Sequence, residues 1–166
     1  MKSTGSDLES LYGEHAKTNS KNSLRAWLYL MKCAKAIERE MSSRLRIGYQ
    51  STMSRFDVLA HLYSAGAGGL STSELANRLL ASMGNITRLL DRMEQDGLLE
   101  RKANTRDRRI SDVHLSPAGT ELFELMAPDH EIWSQEMFGV LDEDEINELV
   151  RMLRFVHHKL EPSRRL

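Results

Sequence analysis

A helix with two chemically different faces is predicted to follow Ser82, a favourable N-cap residue. Its apolar residues recur at helical spacing and are Ile86, Leu89, Leu90 and Met93. Its other face is small or polar and carries Ser82, Gly84, Asn85, Thr87, Arg88 and Arg92. A helix entering a DNA major groove about 12 Å wide needs such a face, because arginine and asparagine bind base edges there. The pattern indicates a nucleic-acid-binding helix.

A second group of arginines lies in a short charged stretch downstream of that helix. Arg106, Arg108 and Arg109 surround Asp107, between two segments that can pair as a β-hairpin. Arginines at a hairpin tip can bind phosphates or enter a narrow minor groove. These four residues are therefore a second candidate DNA contact, and a solvated turn without a ligand is the alternative.

The surrounding sequence predicts elements that would position both groups. Ser71 and Glu74 have the spacing of a capping box and begin a helix before the one that follows Ser82. Gly97 suits the left-handed residue at a helix end, and residues 98–101 and 110–115 are predicted to pair as strands. Two short helices followed by a hairpin with a basic tip predict a winged helix-turn-helix.

Further helices are predicted on both sides of this motif. Apolar residues at helical spacing favour helices over residues 24–45 and 54–64 and from about residue 141 onward. Pro117 is predicted to begin another helix after the cap Ser116, and Pro128 is expected to kink or interrupt it. The predicted fold is mainly α with a small β-hairpin.

The outer helices carry more apolar surface than one small domain needs, which indicates a second subunit. The predicted organisation is a flexible N-terminal arm at 1–21, a DNA-binding domain at 51–116, and a dimerisation region formed by 22–50 and 117–166. The 166 residues are 40% hydrophobic and 28% charged, which is typical of a folded chain. Without a long apolar run or a signal peptide, the chain is predicted to be cytoplasmic, with no membrane partner.

The net charge of −1 conceals a strongly uneven distribution. Residues 17–46 contain eight basic and two acidic side chains, whereas residues 119–150 contain ten acidic and no basic ones. Local basic clusters are typical of nucleic-acid partners. The basic first helix has three open interpretations: it is solvated, it pairs with the acidic region of a partner subunit, or it binds an anionic effector.

Other reactive residues give no pattern of catalysis or metal binding. Cys33 is the only cysteine, so internal disulfides are excluded, and a packing role is favoured over sensing by a thiolate. The adjacent Asp129, His130 and Glu131 point in different directions on a helix and cannot all ligate one metal ion. There is no phosphate-binding glycine loop, HExxH motif or supported nucleophile–base pair. We therefore expect neither an enzyme, nor a metal site, nor a cofactor.

Residues 70–76, 86–101 and 107–119 resemble the MarR family of transcription regulators, and the resemblance extends over about residues 24–160. It implies a homodimer with intertwined terminal helices, in which each subunit places one winged motif on half of a palindromic operator in double-stranded DNA. The alternatives are a regulator of this family that senses a metal or an oxidant, and a winged-helix module that binds proteins without binding DNA.

The resemblance also implies roles for single residues. Arg109 corresponds to the family's wing arginine, with Asp107 bracing it through a salt bridge. Asn85 and Arg88 correspond to positions that face the groove. Gly84 departs from the side chain found at such a position, and its backbone would instead approach DNA closely.

Four short segments, residues 24–28, 55–60, 84–87 and 130–133, resemble regulators of aromatic-acid and hydroxycinnamate catabolism. This implies a repressor released by an aromatic acid or its coenzyme A thioester. The candidate effector-binding residues are Arg25, Trp27, Met31, Phe56 and Trp133. Packing in the core or at the dimer interface is the alternative role for the aromatic ones.

Overall fold

The computed structural model describes residues 18–103 and 111–160. The chain divides into two compact units, Met1–Met53 and Ser54–Leu166. In the first unit, helix α1 (Thr18–Tyr49) has 32 residues and is longer than predicted. At 1.5 Å per residue it extends about 48 Å. It begins within the predicted flexible arm, so residues 18–21 are helical, and no proline or glycine interrupts residues 18–47. The other domain boundaries stay predictions.

The remaining elements form a winged helix-turn-helix followed by two longer helices. In chain order they are α2 (Met53–Ala65), a short 3-10 turn (Gly66–Gly68), β1 (Leu70–Ser71), α3 (Thr72–Arg78), α4 (Met83–Gln95), β2 (Leu99–Ala103), β3 (Ser111–Leu115), α5 (Pro117–Phe138) and α6 (Glu143–Leu160). The mainly α fold and the predicted hairpin are confirmed. Across the described residues, no helix combines the length and apolar character needed to cross a membrane.

The sheet has three antiparallel strands in the order β1-β3-β2. Leu70 pairs with Val113 of β3, and Arg101 of β2 pairs with the same residue from the other side. The sequence predicted the β2–β3 hairpin but not β1. A strand of two residues is too short to show the alternation by which strands are recognised.

The core of the second unit lies where α2, α3, α4, α5 and the sheet contribute apolar side chains. Its fully buried members include Val58, Leu59, Leu62, Leu75, Ile86, Leu90, Met93, Val113 and Met126. Three of them lie on α4 at the spacing predicted for its inner face. Burial of this stripe fixes which face of α4 points outward.

Hydrogen-bonded caps fix where the helices begin. In α3 the Ser71 hydroxyl accepts from the backbone N–H of Glu74 and the Glu74 carboxylate accepts from that of Ser71, which confirms the capping box. The predicted caps Ser82 and Ser116 are confirmed by hydrogen bonds from the backbone N–H groups of Asn85 and Gly119.

The expected interruption at Pro128 is wrong, because α5 continues through this residue to Phe138. Proline removes one backbone donor from the helix interior. Met126, two residues before Pro128, is buried and anchors the helix in the core. Beyond Pro128, no proline or glycine occurs until Gly139. Tertiary packing therefore outweighs the local penalty.

Candidate DNA-binding surface

The tight turn between α3 and α4 orients the second helix. Leu80 lies in the turn with φ +50°, and the N–H of Ala81 donates to the carbonyl of Ala76 over 2.9 Å. Ser82 then caps α4. Ile86 and Met93 anchor the inner face of α4 in the core, so its first turns are presented to solvent.

The structure places the predicted polar residues of α4 together on its exposed face. They are Ser82, Gly84, Asn85, Thr87, Arg88 and Arg92, and all are exposed. The Thr87 hydroxyl donates to the carbonyl of Met83 over 2.8 Å. A carbon atom added at Gly84 would meet nothing within 4 Å. The polar face of α4 is therefore accessible to a large ligand.

Arg88 is held by two neighbours on its own helix. Its Nε–H donates to the carbonyl of Gly84 over 3.1 Å, and its Nη2 donates to Oδ1 of Asn85 over 2.8 Å. Both acceptors are uncharged. No carboxylate therefore compensates its charge in these two contacts, and its direction is restricted.

A second arginine joins strand β2 of the hairpin to α4. In β2, Arg101 contacts Asp91 with Nη2 to Oδ1 at 2.5 Å and Glu94 with Nη1 to Oε2 at 3.0 Å. The sequence analysis missed these pairs, because contacts between a strand and a preceding helix follow no short spacing. The predicted tip residues Arg106, Asp107, Arg108 and Arg109 lie outside the described residues, so their roles stay predictions.

The far end of α4 is joined to α2. Nη1 of Arg55 lies 2.6 Å from Oδ2 of Asp96, which is the C-cap residue of α4. The next residue, Gly97, has φ +74°, as its predicted place at the helix end requires. α4 thus has ion pairs both to the wing and to α2.

The candidate effector residues lie in both units. Arg25, Trp27 and Met31 are exposed on α1 of the first unit. In the second unit Phe56 is buried on α2 and Trp133 is half-buried on α5. Their common role in binding an effector stays a prediction.

Phe56 belongs to an aromatic cluster between α2 and α5 that also contains Tyr63, Phe123 and His130. The Phe56 ring stacks on His130 with centroids 4.3 Å apart and lies 5.7 Å from Phe123. Burial lowers the pKa of His130, and the charge of Asp57 opposes this. Nε2 of His130 is buried without a hydrogen-bond partner among the described residues. The sequence placed His130 in a rejected metal group and in the segment 130–133 of the aromatic-regulator resemblance, but it did not predict this stacking.

Two observations in the described part of the chain concern the metal and oxidant alternatives, which stay predictions. Residues 18–103 and 111–160 contain no group of three or more His, Cys, Asp or Glu side chains arranged to hold a metal ion. Cys33 is a free, exposed thiol on α1.

The polar face of α4 and the paired wing strands can be compared with known proteins. Residues 51–111 match the MarR family. Over 138 residues the chain is 31% identical to the HTH-type transcriptional regulator MhqR of Bacillus subtilis (strain 168), covering 82% of this chain and 92% of that protein. The protein belongs to the MarR family. It is a DNA-binding transcriptional regulator, and the enzyme alternative is excluded.

Two further comparisons give a similar repressor and a similar fold. The HTH-type transcriptional repressor YetL of Bacillus subtilis (strain 168) is 28% identical over 150 residues, which are 89% of each chain. The crystal structure of Sco3205, a MarR family regulator from Streptomyces coelicolor in complex with DNA, aligns with TM-score 0.80. The alignment covers 91% of this chain and 95% of that one at 20% identity, so it shows a shared fold.

Proposed function

We propose that the protein is a homodimeric repressor that binds a palindromic DNA operator and is released by a small aromatic acid or its coenzyme A thioester. The observation that carries this proposal is α4, with an exposed polar face above a buried apolar stripe. A recognition helix of a winged motif needs both faces at once.

Exposed apolar residues support the dimer. α6 has no buried residue, and Leu153, Phe155, Val156 and Leu160 are exposed along it. On α1, Trp27 and Met31 are also exposed. Exposed large apolar side chains on a helix are typical of a subunit interface. Two subunits would then present their recognition helices about 34 Å apart, which is one turn of DNA.

In this proposal, each half-site is bound at two places. The first turns of α4 enter the major groove with Asn85 and Arg88, and Arg109 of the wing enters the minor groove with Asp107 bracing it. Support for the first contact comes from the exposure of both α4 residues. The second contact rests on the resemblance alone.

The effector is proposed from the short resemblance to regulators of aromatic catabolism and from the candidate residues on α1, α2 and α5. An effector that prefers a dimer with the wrong spacing between recognition helices lowers DNA affinity by that preference. Benzoate, cinnamates and their coenzyme A thioesters should raise the melting temperature and weaken operator binding. A panel without any thermal shift would contradict the aromatic effector.

Arg109→Ala tests the proposed DNA contact. Wild-type protein should bind DNA from upstream of its own gene, and the variant should bind less tightly. Because two cations per dimer are lost, the slope of log K against log salt should flatten by up to about 2 units. The slope is measured by fluorescence anisotropy at several salt concentrations on operator and scrambled DNA.

Arg39→Ala is the matched control, because Arg39 is exposed on α1, outside the winged motif. Its slope should equal that of the wild type. Wild-type slopes for Arg109→Ala would remove the wing from the proposed interface. No preference of the wild type for any DNA would instead support a protein-interaction module.

A further inference from the structure

We propose that Asn85 and Arg88 act as a single guanine-binding unit, in which Asn85 and the Gly84 carbonyl hold one edge of the Arg88 guanidinium and leave its other edge free for the base. This inference rests on the proposed DNA contact of α4. In this inference Asn85 is a positioning residue, and each operator half-site is expected to contain a guanine opposite Arg88.

The donors of Arg88 are divided between the two edges. Arginine has five N–H donors in one plane. The Nε donor and one Nη2 donor are used by Gly84 and Asn85, at 3.1 Å and 2.8 Å. These two donors lie on the same side edge of the guanidinium. The end edge, formed by Nη1–H and the second Nη2–H, still offers two parallel donors.

Of the four bases, guanine has the major-groove acceptors that two parallel donors can bind together. In the major groove, guanine presents N7 and O6, which are adjacent acceptors, whereas adenine presents one acceptor and one donor. A guanidinium end edge can therefore bind guanine with two hydrogen bonds and adenine with only one. Lysine is a weaker equivalent, because an ammonium group lacks the fixed planar donors of a guanidinium.

The position of the pair on α4 favours this use. Asn85 and Arg88 are three residues apart, so their side chains lie on the same face, and Gly84 lies one turn before Arg88. Gly84 has no side chain that would shield this face, and the space around it is empty to 4 Å.

The charge on Arg88 is also preserved. Within the described residues it makes no ion pair, whereas Arg55 and Arg101 are both neutralised by carboxylates. A side chain that is already restricted loses less rotational freedom when it binds. Asn85 should therefore increase guanine preference without contacting the base itself.

The test uses the purified full chain and an operator selected from random DNA with the wild type. Each guanine of one half-site is replaced in turn by 7-deazaguanine, which lacks the N7 acceptor, and by adenine. At one guanine, wild-type affinity should fall roughly 5- to 150-fold. Arg88→Lys and Asn85→Ala should each lose most of this discrimination at the same guanine, and the double variant should discriminate no less than Arg88→Lys alone.

Arg92→Ala is the matched control, since Arg92 is exposed one turn further along α4. It should weaken binding to all sequences and keep the guanine preference. Wild-type discrimination by Asn85→Ala would overturn the inference, because the guanine preference would then not depend on Asn85. If the wild type selects no sequence from the pool, the proposed DNA contact fails, which is a different outcome.

Discussion

Leu80 has an unusual backbone for its residue type. It lies between α3 and α4 with φ +50°, and its side chain is 92% exposed. A left-handed conformation costs a residue with a Cβ roughly 1–2 kcal/mol. Since the side chain packs against little, the turn and not the core holds this conformation.

Leu80→Asn should therefore raise the free energy of unfolding by about 0.5–1 kcal/mol, because asparagine tolerates this region best among residues with a Cβ. Gly97→Ala provides the opposite case. Gly97 has φ +74° and open space around it, so alanine there should lower the free energy by about 1 kcal/mol through backbone strain alone. Urea denaturation measures both. Leu80→Ala, which keeps the Cβ, should stay close to wild type.

His130 should make stability depend on pH. Burial holds its pKa below the ordinary value of 6.5, which means that folding favours the neutral imidazole. As pH falls below 6.5, the unfolded chain takes up the proton before the folded chain does, so the free energy of unfolding should decrease until the folded pKa is reached.

His130→Gln should flatten the profile over that range, as measured by thermal or urea unfolding at a series of pH values. His61→Gln serves as the control. It removes another histidine of the second unit, one that is not part of the aromatic cluster. An unchanged slope in His130→Gln would show that another group causes the pH dependence.

Sequence analysis predicted residues whose roles depend on neighbours along the chain. Ser71, Ser82 and Ser116 were all identified as caps, because a cap and its partner are three residues apart. His130 and Arg101 were missed, since their partners come from other elements. The wing-tip arginines were predicted from composition and resemblance, and their geometry stays untested.

At the scale of elements, the junction between β2 and α5 is unusually close. The Ser116 hydroxyl donates to the carbonyl of Gly97 over 2.6 Å and accepts from the N–H of Gly119 over 3.0 Å. The Ser116 N–H donates to the carbonyl of Leu98. A carbon added at Gly119 would lie 2.1 Å from that carbonyl oxygen. The first turn of α5 therefore contacts the backbone that begins the wing.

Gly119→Ala should lower the free energy of unfolding by about 1–3 kcal/mol or more, because the added methyl group must displace backbone atoms. Gly84→Ala is the matched control: it places the same group in empty space at the start of another helix and should equal or slightly exceed wild-type stability. Equal stability of the two variants, measured by urea denaturation, would contradict this close contact.

Elements with strong local signals were predicted closely. α2 was expected at residues 54–64 and is Met53–Ala65, and the recognition helix ends at Gln95 just before the predicted Asp96-Gly97 stop. The start of α1, the strand β1 and the continuity of α5 were not predicted. β1 and the continuity of α5 depend on pairing or packing partners that are distant in sequence.

At the scale of the whole molecule, α6 is the helix that most strongly indicates a second subunit. Phe155 is 73% exposed near its end, and no residue of this helix is buried. Size-exclusion chromatography with light scattering should give about twice the 19.0 kDa chain mass. Phe155→Asp should shift the protein toward monomer and lower its melting temperature.

Glu148→Ala is the control for this shift, because it changes a charged residue on α6 whose contact is the exposed pair with Arg151. It should leave the dimer intact, since exposed ion pairs contribute little. A wild-type protein that stays monomeric at micromolar concentration would contradict the proposed dimer.

Ion pairs along the C-terminal half of α4 affect how such a protein can be switched. Arg101 joins the helix to β2, and Arg55 joins its C-cap Asp96 to α2. Each pair is exposed enough to add little stability, but together they oppose rotation of the helix about its own axis. A helix held in this way keeps its orientation within its own subunit. We expect an inducer to change the distance between the two helices of a dimer and to leave the structure of each winged motif as it is.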